Sequence, residues 1–353
     1  MRRRLIGVML CTLISMALTP AVAEQDVPWW KKQKIVFMWG KWPYTREDKS
    51  QNYYYADLPR DLFRNVAIAG ATVFADCVTG TDWAQNDGVL VPSIGRARRH
   101  ARYAHEFDLK YFNTLVRGPS SSLASDAEKT PGARMPIRGH GTPSGRCPLD
   151  ESIYNRWIVD PHLELLSEGL LDGIHVGWER SGEVATGGRE GFCYCDDCFS
   201  KFLEIRGVNS DLPKTAKRFA WVKERELMAA YEKDFRQRRV EMFTRIRERL
   251  HAIKPDLMFS SYGMGLQMGQ SDFMRAMNTP ETPFIFLDHA RNYGNDDRQT
   301  WWISSNAQLQ NQGFLYLPGG WTNPLFGAQA SQIDAIRWIY EAAVNEDGVW
   351  LWF

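Results

Sequence analysis

Beyond its opening segment, this 353-residue chain never strings together the ~18 uninterrupted apolar residues that a membrane-crossing helix requires. An excess of one charge is also missing. The 43 basic and 42 acidic residues leave a formal net charge of +1, which argues against nucleic acid or an anionic membrane as partner. No glycine-rich phosphate turn follows the first apolar run, where Gly40-Lys41-Trp42-Pro43 stands instead. A doubly wound dinucleotide-binding sheet is thereby disfavoured, and no organic cofactor is expected. Nor does that first run, Lys34–Trp39, contain histidine, as the His-x-His pair of metal-dependent amide and ester hydrolase barrels would require.

The opening segment itself is informative. Arg2, Arg3 and Arg4 precede a mostly apolar run from Leu5 to Leu18, and Ala21-Val22-Ala23 forms an A-x-A cleavage site. This is the pattern of a secretory signal peptide. Residues 1–23 are expected to be removed, giving a periplasmic or secreted protein with no membrane insertion after cleavage. Residues 24–353 are expected to form a single domain. Aromatic residues make up 13% of the chain, including 14 Trp. Such rings either fill a large core or stack on the C–H faces of sugars, and composition does not choose between them.

One unit repeats along the chain: a short apolar run, a polar loop, then an amphipathic helix. The predicted strands are Lys34–Trp39, Ala71–Ala75, Leu109–Val116, Asp172–Gly177, Asp256–Ser261, Pro283–Asp288, Phe314–Leu317 and Gly348–Phe353. Near-continuous apolar runs of this length suit parallel strands buried on both faces. Helices are expected over Ser93–Phe107, Ile153–Glu168 and about Lys214 to Ile253. In the last of these, Val240, Phe243, Ile246, Leu250 and Ile253 recur at spacings of three and four. Eight strand–helix units predict an α/β fold, a (β/α)8 barrel. The eighth strand falls at the end of the sequence, so either the closing helix is dispensable here or the sequence is a fragment of a longer protein. A long Ser-, Gly-, Pro- and Arg-rich loop is expected over 119–150, and the composition says nothing of oligomeric state.

Five cysteines follow the opening segment. Cys193, Cys195 and Cys198 form C-Y-C-D-D-C immediately before a predicted helix, Phe199–Arg206, and Cys147 ends the long loop. Three thiolates so close can converge on one tetrahedral ion with Cys147 as fourth ligand, a structural Zn2+ site with no open position. An exported protein also admits a disulfide with free thiols, or unpaired thiols throughout. Cys77 is expected to be a buried thiol.

The segment Gly173-Ile-His-Val-Gly-Trp-Glu179, followed by Cys193-Tyr-Cys-Asp-Asp-Cys198 and a helix rich in Phe, resembles the catalytic segment of glycoside hydrolase family 42. Those enzymes are β-galactosidases on (β/α)8 barrels, and related uncharacterised barrel families share the cysteine pattern. Arg146-Cys147-Pro148, Ser152, Tyr154 and Ile253-Lys254-Pro255-Asp256 also fit, so the likeness covers roughly residues 146–261. It implies a carbohydrate substrate and the general acid/base role for Glu179. Two departures stand out. Trp178 replaces the family's Asn, and Phe314–Trp321 holds no carboxylate where the family has its nucleophile.

Active sites of such barrels lie at the carboxyl ends of the strands. Glycoside hydrolysis there needs two carboxyl groups, one protonated to assist the leaving oxygen and one acting as nucleophile or base. Asp288, two strands from Glu179, is the expected second carboxylate. Asp76, Trp39, Trp42, Arg117, Trp178, Tyr262, His289 and Trp321 are the expected substrate-binding residues. The rival of a different class is a barrel that binds carbohydrate without cleaving it.

Overall fold

In the computed structural model the eight apolar runs become β1 (Ile35–Gly40), β2 (Val73–Asp76), β3 (Lys110–Leu115) and β4 (Gly173–Gly177), then β5 (Met258–Gly263), β6 (Ile285–His289), β7 (Leu315–Trp321) and β8 (Gly348–Trp352). Residues 27–40, 58–76, 94–115, 147–177, 192–208, 213–263, 268–289, 309–321 and 347–352 are described by the structure. All neighbouring pairs are parallel, and β1 pairs with β8 as well as β2, closing the barrel. Residues 1–34 form a separate unit. Its described part contains the one-turn helix α1 (Trp29–Lys32), in which the Lys31 ammonium lies 4.8 Å from the Trp30 ring centroid.

Between successive strands lie α2 (Arg60–Ile68), α3 (Ile94–Glu106), α4 (Glu151–Tyr154) with α5 (Leu163–Ser167), then α6 (Asp196–Ile205), α7 (Arg218–Glu224), α8 (Met228–His251) and α9 (Met268–Met277). Helices α2 and α3 end alike. Ala71 N–H bonds Val66 C=O after Gly70 at φ 89°, and Leu109 N–H bonds Ala104 C=O after Asp108 at φ 59°. This Schellman closure turns the chain straight into the next strand.

Two expected helices are interrupted. Ile153–Glu168 is instead α4, a π turn over Asn155–Val159, a bend, and α5. Pro161 has no N–H to continue the helix, and Asp160 N–H reaches back five residues to Asn155 C=O. The long helix before β5 divides at Glu226, φ 55°, where Leu227 N–H bonds Val222 C=O and a second helix begins. The fifth strand starts at Met258 rather than Asp256, because Leu257 N–H closes a turn on Lys254 C=O.

Strand alternation divides the core in two. Phe74, Tyr111, Ile174, Val176, Phe259, Phe286 and Tyr316 face the helices, buried with Phe63, Ala101, Phe243, Ile246 and Phe273. The alternate set faces the lumen. It includes Phe37 and Phe112, edge to face at 5.4 Å, with Val73, Ala75, Ile285, Leu287, Leu315, Leu317 and Trp350. Both faces of the wall are therefore mainly apolar, as the unbroken runs required, with polar residues entering at Asp76, Thr114, His175 and Ser260.

Three of the described histidines, His100, His162 and His175, lie wholly inside. His162 donates from Nδ1 to Ile158 C=O and accepts at Nε2 from Asn113 Nδ2 at 2.8 Å. Burial pushes its pKa down to about 4, whereas the unfolded chain titrates near 6.5. Between those values the unfolded state binds more protons, so stability falls as pH drops from about 6.5 to about 4. The urea midpoint should decline over that window. His162→Gln should flatten the decline, and an unaltered slope in that variant would refute this assignment.

Candidate functional site

The barrel register fixes which strand ends adjoin. Asp288 pairs with Gly263 and Pro318, on the backbone parity of helix-facing Phe286, and His289 pairs with Gly319 on the lumen parity. Trp352 of β8 pairs with both Trp39 of β1 and Trp321 of β7. Three tryptophans thus occupy adjacent positions at the carboxyl ends of three consecutive strands. Trp39 and Trp321 were expected from the sequence, whereas Trp352 becomes a candidate through its two neighbours. Glu179, Trp178, Trp42, Arg117 and Cys77 lie outside the described residues, as do the side chains of Asp288, His289, Trp39 and Trp321.

Tyr262 is described. It faces the lumen, 4% exposed, with its ring edge to face against Trp350 at 5.2 Å. Asp76 requires a correction. It alternates with Ala75 and so belongs to the helix-facing set, and it is 1% exposed. Its carboxylate accepts from His100 Nδ1 and from Tyr111 Oη, the latter at 3.1 Å. His100 Nε2 in turn accepts from Leu58 N–H at 2.9 Å. The chain joins β2, β3, α3 and the start of α2. Asp76 is thus a structural anchor, and its end-of-strand position misled because residue parity points it away from the lumen.

The lumen also holds polar residues that the sequence did not single out. Thr114, His175 and Ser260 are consecutive rungs of β3, β4 and β5, all fully buried. His175 Nδ1 lies 2.9 Å from Ser260 Oγ, and burial pushes the imidazole down to about 3, leaving it neutral at ordinary pH. Inside an apolar strand the signal for such a row is faint: a histidine flanked by glycines at alternate positions, Gly173 and Gly177.

The four expected cysteines come together. Cys147, Cys193, Cys195 and Cys198 are buried, unpaired by disulfides, and their sulfurs all lie within 4.8 Å of one another. Cys147 and Cys198 Sγ are 3.3 Å apart, and Cys195 and Cys147 Sγ 3.9 Å. Four thiolates around one zinc at 2.3 Å have tetrahedral edges of about 3.8 Å, close to this spacing. Leu149 N–H approaches Cys147 Sγ at 3.4 Å, and Cys195 N–H approaches Cys193 Sγ at 3.5 Å. Hydrogen bonds from Cys147, Cys193 and Cys198 favour the thiolate at Cys195. Around the sulfurs, Tyr194, Phe199, Phe202, Val222, Tyr231 and Phe235 form a core of their own. Tyr231 Oη donates to Cys193 C=O, and Arg218 donates to Tyr194 C=O at 2.8 Å while its guanidinium lies over the Phe199 ring.

No protein-family model and no curated protein sequence matches the chain. Solved structures do share its fold. A catalytic mutant of a GH42 β-galactosidase from G. stearothermophilus aligns with TM-score 0.57 at 12% identity, covering 91% of this chain and 51% of that one. The β-galactosidase of the psychrophilic Marinomonas ef1 aligns at 0.54 and 9% identity, over 90% and 54%. That of the haloarchaeon Halorubrum lacusprofundi gives 0.51 and 10%, over 91% and 52%. The structural neighbours are thus glycoside hydrolases on (β/α)8 barrels, and this chain spans about half the length of each.

Asp76→Ala should strand the buried groups of His100 and Tyr111 and cost about 3 kcal/mol of stability. Calorimetric or urea unfolding of the variant measures this, and a loss below about 1 kcal/mol would restore Asp76 as a candidate ligand.

Proposed function

We propose that the protein is an extracytoplasmic glycoside hydrolase that cleaves O-glycosidic bonds of an oligo- or polysaccharide at the carboxyl rim of its barrel. The observation that carries this reading is the rim's order. Strand β4 leads directly into Trp178 and Glu179, and β6 ends in Asp288-His289 two strands away. Trp321, Trp352 and Trp39 occupy adjacent positions on β7, β8 and β1. Carboxylates on one arc and tryptophans on another supply what a sugar site needs: groups for proton transfer and ring faces for stacking.

In this reading Glu179 protonates the departing glycosidic oxygen, and it deprotonates water in a second step only if the other carboxylate is a nucleophile; if that carboxylate is the base, it takes the proton from water itself. Trp178 adjoins it in sequence, and a ring packed on the carboxyl would favour the protonated form. Asp288 shares the backbone parity of helix-facing Phe286, so it can take the nucleophile or base role only where β6 leaves its pleat; β7, Leu315–Trp321, contains no carboxylate to supply that role instead. Tyr262, His289, Arg117 and Trp42 complete the binding surface. Export by the leader segment would bring the enzyme to polymeric substrates.

The absent carboxylate on β7 favours a second reading, a barrel that binds glycans without cleaving them. A glycan panel run on the mature protein and on Glu179→Gln separates the two. Hydrolysis should be measurable in the parent and fall by about 10²–10⁴-fold in the variant with its melting temperature unaltered. Binding without turnover in either protein would establish the second reading, and full activity in the variant would remove Glu179 from the mechanism.

We also propose that Cys147, Cys193, Cys195 and Cys198 hold one structural zinc ion. Four buried sulfurs at tetrahedral spacing fit it, and a four-thiolate shell leaves no position for water or substrate. The ion would cross-link the chain and take no part in bond cleavage. Protein purified without chelators should contain one zinc per chain, and Cys198→Ser should lose it along with thermal stability. Metal-free protein of undiminished stability would refute the assignment.

A further inference from the structure

The row Thr114–His175–Ser260 crosses the lumen between the Phe37 and Phe112 rings on one side and the Tyr262 and Trp350 rings on the other. Below it, the Phe37 ring stands edge to face with Phe112 at 5.4 Å, and the same Phe37 ring is 5.6 Å from His175. Phe112 also fills the space beside Gly173, since a Cβ there would run into its ring. Above, the next lumen-facing position of β4 is Gly177, which has no side chain, and its rung partner is Tyr262. His175 therefore carries the last side chain that β4 presents to the lumen before the strand ends.

The three side chains are neutral, and the two hydroxyls retain hydrogen-bonding capacity. Ser260 Oγ spends one bond on His175 Nδ1. Whichever of the two atoms donates, the hydroxyl retains a lone pair for another oxygen. Thr114 Oγ1 is buried, on the rung next to His175, and has no hydrogen-bond partner among the described residues. Adjacent rungs are about 4.8 Å apart, so one oxygen atom above the row can reach across two of them. A hydroxyl buried without any partner costs free energy that proteins normally recover with an ordered water or a ligand group.

We infer that Thr114, His175 and Ser260 form a hydroxyl-binding site at the floor of the barrel mouth, which takes a neutral O–H group. Two sources share that chemistry, a fixed water and a sugar hydroxyl that reaches the row past Gly177. Assigning the oxygen to a sugar rests on the proposed function, whereas the site itself does not. A charged ligand group is disfavoured, because none of the three residues supplies a compensating charge and the surroundings are apolar.

A crystal structure of the mature protein, refined far enough to show waters, decides the matter. An oxygen should lie about 2.7–3.0 Å from Thr114 Oγ1. If it stays in place in crystals soaked with a glycan that binds the protein, its source is water. Replacement by a sugar oxygen makes the row a specificity-determining floor. No oxygen in either crystal overturns the inference. In solution, Thr114→Val keeps shape and removes only the hydroxyl. The variant should melt roughly 2–4 °C lower if that hydroxyl holds an oxygen in place, and an unchanged or higher melting temperature counts against the site. Neither measurement uses turnover. The site can thus survive a Glu179→Gln variant of full activity, and its own failure leaves the hydrolase reading untouched.

Discussion

Parity governs this molecule. A closed parallel barrel sends successive side chains to opposite sides of one continuous wall, and each strand's register is held by neighbours on both flanks. Slipping a strand by one residue would exchange its lumen set for its helix set. The consequence is visible in two buried polar residues. Asp76 falls on the helix side and spends its charge on His100 and Tyr111. His175 falls on the lumen side and reaches Ser260 instead. Their chemical difference matters less than the wall face on which each one lands.

The strands were legible because burial on both faces leaves runs such as Ile35–Trp39 and Phe314–Leu317 apolar throughout. That same property hid the parity. Where both faces are apolar, no alternation tells which residues look inward, so Asp76 could be placed at a strand end but not on a face. Helix limits were read less well. Pro161 offered a usable warning against one helix over Ile153–Glu168. The break at Glu226 gave none, because a charged residue in left-handed conformation carries no local signature. The cysteine cluster was readable from spacing, since three of its four members lie within six positions and only Cys147 is remote. The lumen row was not, because a threonine, a histidine and a serine from three separate segments adjoin only through the ladder.

The thiol cluster is organised apart from the barrel's main interior. Its aromatic shell, from Tyr194 through Phe235, touches the sulfurs and the start of α6. The helix-facing layer of the barrel is a different set of residues. The insertion between β4 and α8 accordingly has its own source of cohesion. Arg218, clamped on Tyr194 C=O and Pro213 C=O, ties α7 into it.

That separate anchorage bears on how the rim can vary. The segment from Trp178 to Gly191, which includes Glu179, leaves the ladder at Gly177 and returns to buried, hydrogen-bonded chain by Cys193. Both its ends are pinned by structure that does not depend on its own sequence. Closing a loop between fixed posts costs little more when a few residues are added. Substitutions and insertions in that stretch can accumulate without unravelling either anchor.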